Sequence, residues 1–197
     1  MTLLVLGLVL FFAPHLLPTF RPLRGRLVAA LGGNENVYKA VHGAVGMTGL
    51  VLIVVGFGDY RAAGMIPVWT PPVWTQHLAL TLMLPSFIVF AAMPPRPSLL
   101  RYRIKHPMLA GIKIWALAHL LANGDLGSIA LFGAFLAFGV YDRISVKRRG
   151  LKVPENPGGW TKADTISVIA GTVLWLAFLF GLHHWLIGVP VLPGVGA

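Results

Sequence analysis

Apolar residues in this chain come in runs of 16 to 27 residues, close to the length of about 17–25 that a bilayer asks of a helix, broken by short polar, basic or proline-rich stretches. The runs fall at residues 2–17, 38–58, 74–93, 107–122, 126–141 and 163–189, the last apolar from Thr165 onward. None alternates with period two as a half-buried strand would. The pattern predicts an all-α integral membrane bundle of about six transmembrane helices, forming one transmembrane domain over residues 1–197. The fourth and fifth runs, parted by Asn123-Gly124-Asp125 and closed by Asp142-Arg143 and Lys147-Arg148-Arg149, read as a hairpin around which the others pack.

The breaks carry their own chemistry. Pro14 and Pro18 each remove a backbone donor beside His15 and predict a kink at the end of the first helix. Residues 24–31 mix arginine with apolar side chains, as a helix lying in the interface does, and Gly32-Gly33-Asn34 turns the chain into the second run. Trp69 and Trp74 suit the headgroup level. Pro107 opens the fourth helix at a position where its missing donor costs nothing. Asp125 reads as the N-cap of the fifth.

Composition sharpens this picture. The chain is 56% hydrophobic and 11% charged, against a usual charged share of about a quarter, which excludes an ordinary soluble domain. With no cysteine, thiolate metal sites and cysteine nucleophiles are excluded. The formal charge of +10 would suit nucleic acid, but its distribution assigns it to orientation in a bilayer. Fourteen lysines and arginines follow the first, third and fifth runs, whereas Arg61 stands alone on the other side and Lys113 lies within a run. By the positive-inside rule both termini face away from the cytoplasm. The arginines follow the first run instead of preceding it, which predicts a retained helix and not a cleaved signal.

Seven histidines hold whatever chemistry the chain has. In this topology His15, His42 and His106 lie near cytoplasmic helix ends, and His77, His119, His183 and His184 towards the outer ends. His106 and His119 share a helix but stand about 20 Å apart along it, so each needs partners on other helices. His119 shares a helical face with Met108, Ile112, Trp115 and Asn123. An imidazole in such surroundings either hydrogen-bonds across helices or binds haem iron, which needs an axial nitrogen and an apolar slot. Depth pairs His15 with His42 and His119 with His77, since about 12 Å separates His15 from His119 at 1.5 Å per residue. Lys113 either pairs with Asp142 or snorkels to the cytoplasmic surface.

The order His106-Pro107, Gly111-Ile112-Lys113, Trp115 through His119, Asn123-Gly124-Asp125, Leu131-Phe132-Gly133, Asp142-Arg143 and Lys147-Arg148-Arg149 resembles the NnrU family. The likeness extends to His15 with its following arginines and to Tyr38-Lys39, covering most of residues 1–150. It implies a multi-pass protein of the bacterial inner (cytoplasmic) membrane associated with denitrification, in a setting of nitrite and nitric oxide metabolism. That family is related to the plant and cyanobacterial 15-cis-zeta-carotene isomerases, integral membrane proteins that use haem b with histidine ligation. The resemblance therefore implies haem b ligated by His15 and His119, with His42 near another histidine of that pattern. The helix depths make His42 or His77 the residue to stand in for one member of that pair, the spacing puts Trp115 on the His119 face, and Lys113 is a candidate partner for a haem propionate. The resemblance also implies isomerase-like chemistry on a polyene, or small-ligand redox chemistry on nitric oxide.

Two other classes stay open at this point. One is a non-catalytic membrane factor for assembly or sensing. The other is an S-adenosylmethionine-dependent membrane methyltransferase, whose cofactor site carries a similar His-Pro stretch, although the glutamate-rich and arginine-rich C-terminal features of that group are missing here.

Overall fold

Backbone in hydrocarbon must satisfy its own hydrogen bonds, which a helix does within one segment. Each apolar run is helical in the computed structural model, which describes residues 1–192. The helices are α1 (Thr2–Leu16), α2 (Arg21–Ala30), α3 (Glu35–Ala62), α4 (Val73–Ala91), α5 (Leu99–Ile104), α6 (Pro107–Ala122), α7 (Leu126–Arg148), α8 (Lys162–Ala177) and α9 (His183–Ile187). Five helical stretches are long and apolar enough to cross a membrane: Thr2–Thr19, Glu35–Ala62, Val73–Ala91, Leu126–Arg148 and Lys162–Ile187. The expected fourth span, α6, is apolar but has only 16 residues, about 24 Å against a hydrocarbon core of about 30 Å. Side chains such as Val51, Val54, Ile169 and Val173 are exposed on the long helices, as lipid-facing residues are.

The chain divides into two compact units, Met1–Pro71 with Asn123–Arg148, and Pro72–Ala122 with Arg149–Ala197. Helices α6 and α7, expected as one hairpin, belong to different units.

In the first unit α1 packs along α3, and α7 against α1. The contact is close because glycines lie in it: a Cβ on Gly7 would stand 2.6 Å from the Ile53 nitrogen, and one on Gly49 or Gly56 would meet the backbone of α1 at Phe11 or Leu4. Small residues let helices approach in lipid, where packing must supply what water exclusion does elsewhere. Pro14 lies inside α1, and the chain tightens into a 3-10 turn at Leu17–Thr19. Gly32 and Gly33, both at positive φ, form the turn before α3. Asn34 caps that helix, its Oδ1 accepting from the Asn36 nitrogen at 2.9 Å. Asp125 caps α7 as expected, accepting from the Ser128 nitrogen at 2.9 Å. Residues 66–69 pair with the Asn123-Gly124-Asp125 break: Val68 and Trp69 donate to the Gly124 carbonyl at 2.8 and 3.0 Å, and Leu126 donates to that of Ile66 at 2.9 Å. A Cβ on Gly124 would collide with the Trp69 carbonyl.

In the second unit α4 packs against both α6 and α8. Ser86 donates to the Gly111 carbonyl at 3.0 Å, and the Trp175 indole donates to the Leu80 carbonyl of α4 at 3.1 Å. Gly111 receives the Phe90 ring, and Gly171 receives the backbone of Ile88. The sixth run is not one uninterrupted helix. It passes from α8 through a π-helical turn at Phe178–Leu182, where Gly181 departs from helical geometry, into α9.

Candidate functional site

His15 occupies the last turn of α1 and is half-buried. Its Nδ1 lies 2.5 Å from the Phe11 carbonyl oxygen one turn back. A carbonyl only accepts, so Nδ1 carries the proton and the neutral ring's lone pair sits on Nε2. The ring stacks on Phe11 at 4.3 Å and meets the edge of Phe138 at 6.1 Å. Across the α1–α3 contact the His42 ring is 5.3 Å away, tilted by 58°. Gly46, one turn beyond His42, leaves the room that His15 takes: a Cβ there would stand 3.3 Å from the imidazole Cε1.

His42 in turn meets the Tyr38 ring at 5.9 Å. The His42 Nδ1 and the Tyr38 hydroxyl are buried and have no hydrogen-bond partner among the described residues. Buried polar atoms in native proteins are nearly always paired, so two orphans beside His15 mark a place suited to a ligand or water. Arg24 stands 4.8 Å from the Tyr38 ring centre and forms an ion pair with Glu35 at 2.5 Å. That hydrogen bond raises the guanidinium further above its already high ordinary range.

His119, in the second unit, repeats the local geometry of His15. Its Nδ1 donates to the Trp115 carbonyl at 2.8 Å, again leaving the lone pair on Nε2, and the Trp115 ring lies 5.1 Å away. His183 is near enough to act on it electrostatically. The π-helical turn precedes His183, whose Nδ1 donates to the Val189 carbonyl at 2.7 Å. His77 is exposed on α4, and Lys113 is half-buried on α6.

Of the residues expected from sequence, the structure brings His15 and His42 into ring contact within one unit, and Trp115 and His119 within the other. Tyr38 and Gly46 were missed as site residues. Their signal was available in the helical spacing of Tyr38, His42 and Gly46, which puts all three on one face. Among the described residues no group of three or more His, Cys, Asp or Glu side chains converges on a metal position.

Fold and site together define a helical integral membrane protein in which imidazoles with assigned proton positions lie inside the helix packing. The profile of the family described as NnrU protein matches residues 3–191. The chain belongs to the NnrU family, and the match continues past residue 150, where the recognisable motifs stop. No curated protein and no solved structure gives a significant match.

Proposed function

We propose that this NnrU-family protein binds haem b through histidines of its helix bundle and serves nitrite and nitric oxide metabolism in the bacterial inner membrane. The observation that carries the reading is the shared state of His15 and His119. Each donates Nδ1–H to the carbonyl four residues earlier, which fixes the tautomer and presents Nε2 as a base. Metal-ligating histidines are held in this way, their second nitrogen bonded to a carbonyl or carboxylate.

The residues present fit the group. His42, whose Nδ1 is orphaned and whose ring lies beside that of His15, is the alternative to His15 as a ligand, and His77 on α4 is the alternative partner for His119. Gly46 leaves the room that the His15 ring occupies. Phe11, Phe138 and Trp115 supply apolar ring surface against the two imidazoles. When bound, haem would supply one-electron chemistry and binding of nitric oxide or activation of a polyene. The chain's own part is to hold the imidazoles, fix their protons and exclude water. Trp115 belongs to the surroundings of His119, and Lys113, six residues before it on α6, would meet a haem propionate in this reading. In this reading α6 completes six crossings, with the N-terminus on the non-cytoplasmic side.

The test is the absorption spectrum of detergent-purified protein from haem-replete cells, oxidised, reduced and with nitric oxide. A Soret band is expected that His119→Ala removes and His15→Ala removes or shifts to a high-spin form. Colourless wild-type protein, or a band that survives both substitutions unchanged, overturns the reading.

A further inference from the structure

The α3 helix has 28 residues, about 42 Å, whereas the hydrocarbon core is about 30 Å thick. Charges bracket its apolar stretch at Lys39 and Asp59, so the turn from Glu35 to Lys39 stands at headgroup level. The preceding α2 carries Arg21, Arg24 and Arg26, and Phe20, Leu23 and Leu27 beside them are exposed. Basic and apolar side chains so combined belong to a helix lying in the interface.

Within this region one built-in phenol has no acceptor for its proton, although its oxygen lies within reach of the Arg24 guanidinium. Tyr38 is only 6% exposed, and its buried hydroxyl has no hydrogen-bond partner among the described residues. A phenol hydroxyl in that state lacks an acceptor, at a cost that a bound acceptor would remove. Arg24 stands over its ring at 4.8 Å. Only its Nη2 engages Glu35, and a guanidinium has five donor hydrogens, so further N–H groups can serve a second oxyanion.

We propose that Arg24 and Tyr38 bind the phosphate of an anionic phospholipid, the guanidinium and the phenol hydroxyl both donating to its oxygens. Phe20, Leu23 and Leu27 favour a lipid over free phosphate because they offer acyl chains an apolar surface. Arg26 and Lys39 add positive charge beside the site and favour an anionic over a zwitterionic headgroup.

Native mass spectrometry of the full chain in detergent, titrated with phosphatidylglycerol, phosphatidylcholine or inorganic phosphate, tests this. Phosphatidylglycerol is retained in preference to phosphatidylcholine. Tyr38→Phe and Arg24→Gln each weaken its retention about fivefold or more, as loss of a hydrogen bond to a charged group does, while Arg26→Gln, with the same change of charge on the same helix, weakens it less than twofold. Tyr38→Phe is isosteric, and an unchanged melting temperature shows that it folds. The proposal is overturned if Tyr38→Phe binds like wild type, if Arg26→Gln loses as much as Arg24→Gln, or if inorganic phosphate competes at the lipid's own concentration.

Discussion

Asp164 should be the residue on which the second unit depends most. It is fully buried in the first turn of α8, and its carboxylate ties that helix to the start of α5. Oδ1 accepts from the Ser98 hydroxyl at 2.5 Å and the Leu100 nitrogen at 2.9 Å; Oδ2 accepts from the Leu99 and Thr161 nitrogens at 3.0 and 2.8 Å. Hydrogen bonds to a charged group contribute about 1.5–3 kcal/mol each, and a buried donor left without its partner costs about 1–3 kcal/mol. These terms overlap, so Asp164→Ala should cost about 5 kcal/mol, in line with removing one member of a buried charged cluster. Asp164→Asn keeps one acceptor oxygen but turns an NH2 toward backbone donors, and should cost about 3 kcal/mol. For a chain of this size 1 kcal/mol moves the melting temperature by about 2–4 °C, so the alanine variant should melt about 10–20 °C lower by tryptophan fluorescence in detergent. Ser98→Ala alone loses the bond to Asp164 and the cap on the Arg101 nitrogen; with Asp164→Ala already present, only the cap, about 1 kcal/mol, is left to lose. An asparagine variant melting within 2 °C of wild type, or fully additive Ser98 and Asp164 shifts, would refute the reasoning.

Other substitutions probe the first unit and the orientation of the chain. Gly49→Val would drive side-chain atoms into the α1 backbone at Phe11 and, since overpacking costs about 1–3 kcal/mol or more, should lower the melting temperature and abolish the His15 spectral signature together; retention of both contradicts the packing account. Tyr60→Phe removes the hydroxyl that accepts from the Ile66 nitrogen at 2.8 Å, and should cost about 1–2 kcal/mol with faster amide exchange over residues 66–69. Because the chain has no cysteine, single cysteines report sidedness directly: in intact cells an impermeant maleimide should label Met65→Cys and not Arg103→Cys, and the opposite labelling would invert the topology.

The apolar runs were legible because a bilayer imposes length and composition on a segment, and α1, α3 and α4 follow within a few residues, whereas α7 continues past Tyr141 to Arg148. Polar caps were legible where the motif is local, as at Asp125. The role of Asp164 was only half legible. Thr161-x-x-Asp164 is a capping box in sequence, and it forms, but the reach of the same carboxylate to Ser98 joins residues 66 positions apart, which no local pattern encodes. The pairing of residues 66–69 with Gly124 was hidden for the same reason. The π-helical turn at Phe178–Leu182 was hidden by a uniformly apolar sequence whose one marker, Gly181, also reads as a packing glycine. For the histidines, depth along the helices put His15 level with His42, and their rings meet at 5.3 Å; depth also put His119 level with His77, which is exposed on α4, because rotation about each axis, which decides where a ring points, is set by neighbours.

Both candidate ligands are mounted on helices held by close contacts, not on loops. His15 lies four residues beyond Phe11, whose backbone rests against Gly49 of α3, and its ring fills the space that Gly46 leaves. His119 lies eight residues beyond Gly111, where α6 meets Phe90 and Ser86 of α4. In each case the glycine contact sets the helix, the helix places the carbonyl four residues before the histidine, and that carbonyl sets the imidazole proton. The position of each candidate lone pair is thereby fixed by backbone packing, which holds it more rigidly than side-chain bonds alone. A substitution at Gly49 or Gly111 should then act on ligand spectra as strongly as one at a residue touching the histidine, whereas an exposed change such as Val54→Leu should leave them alone.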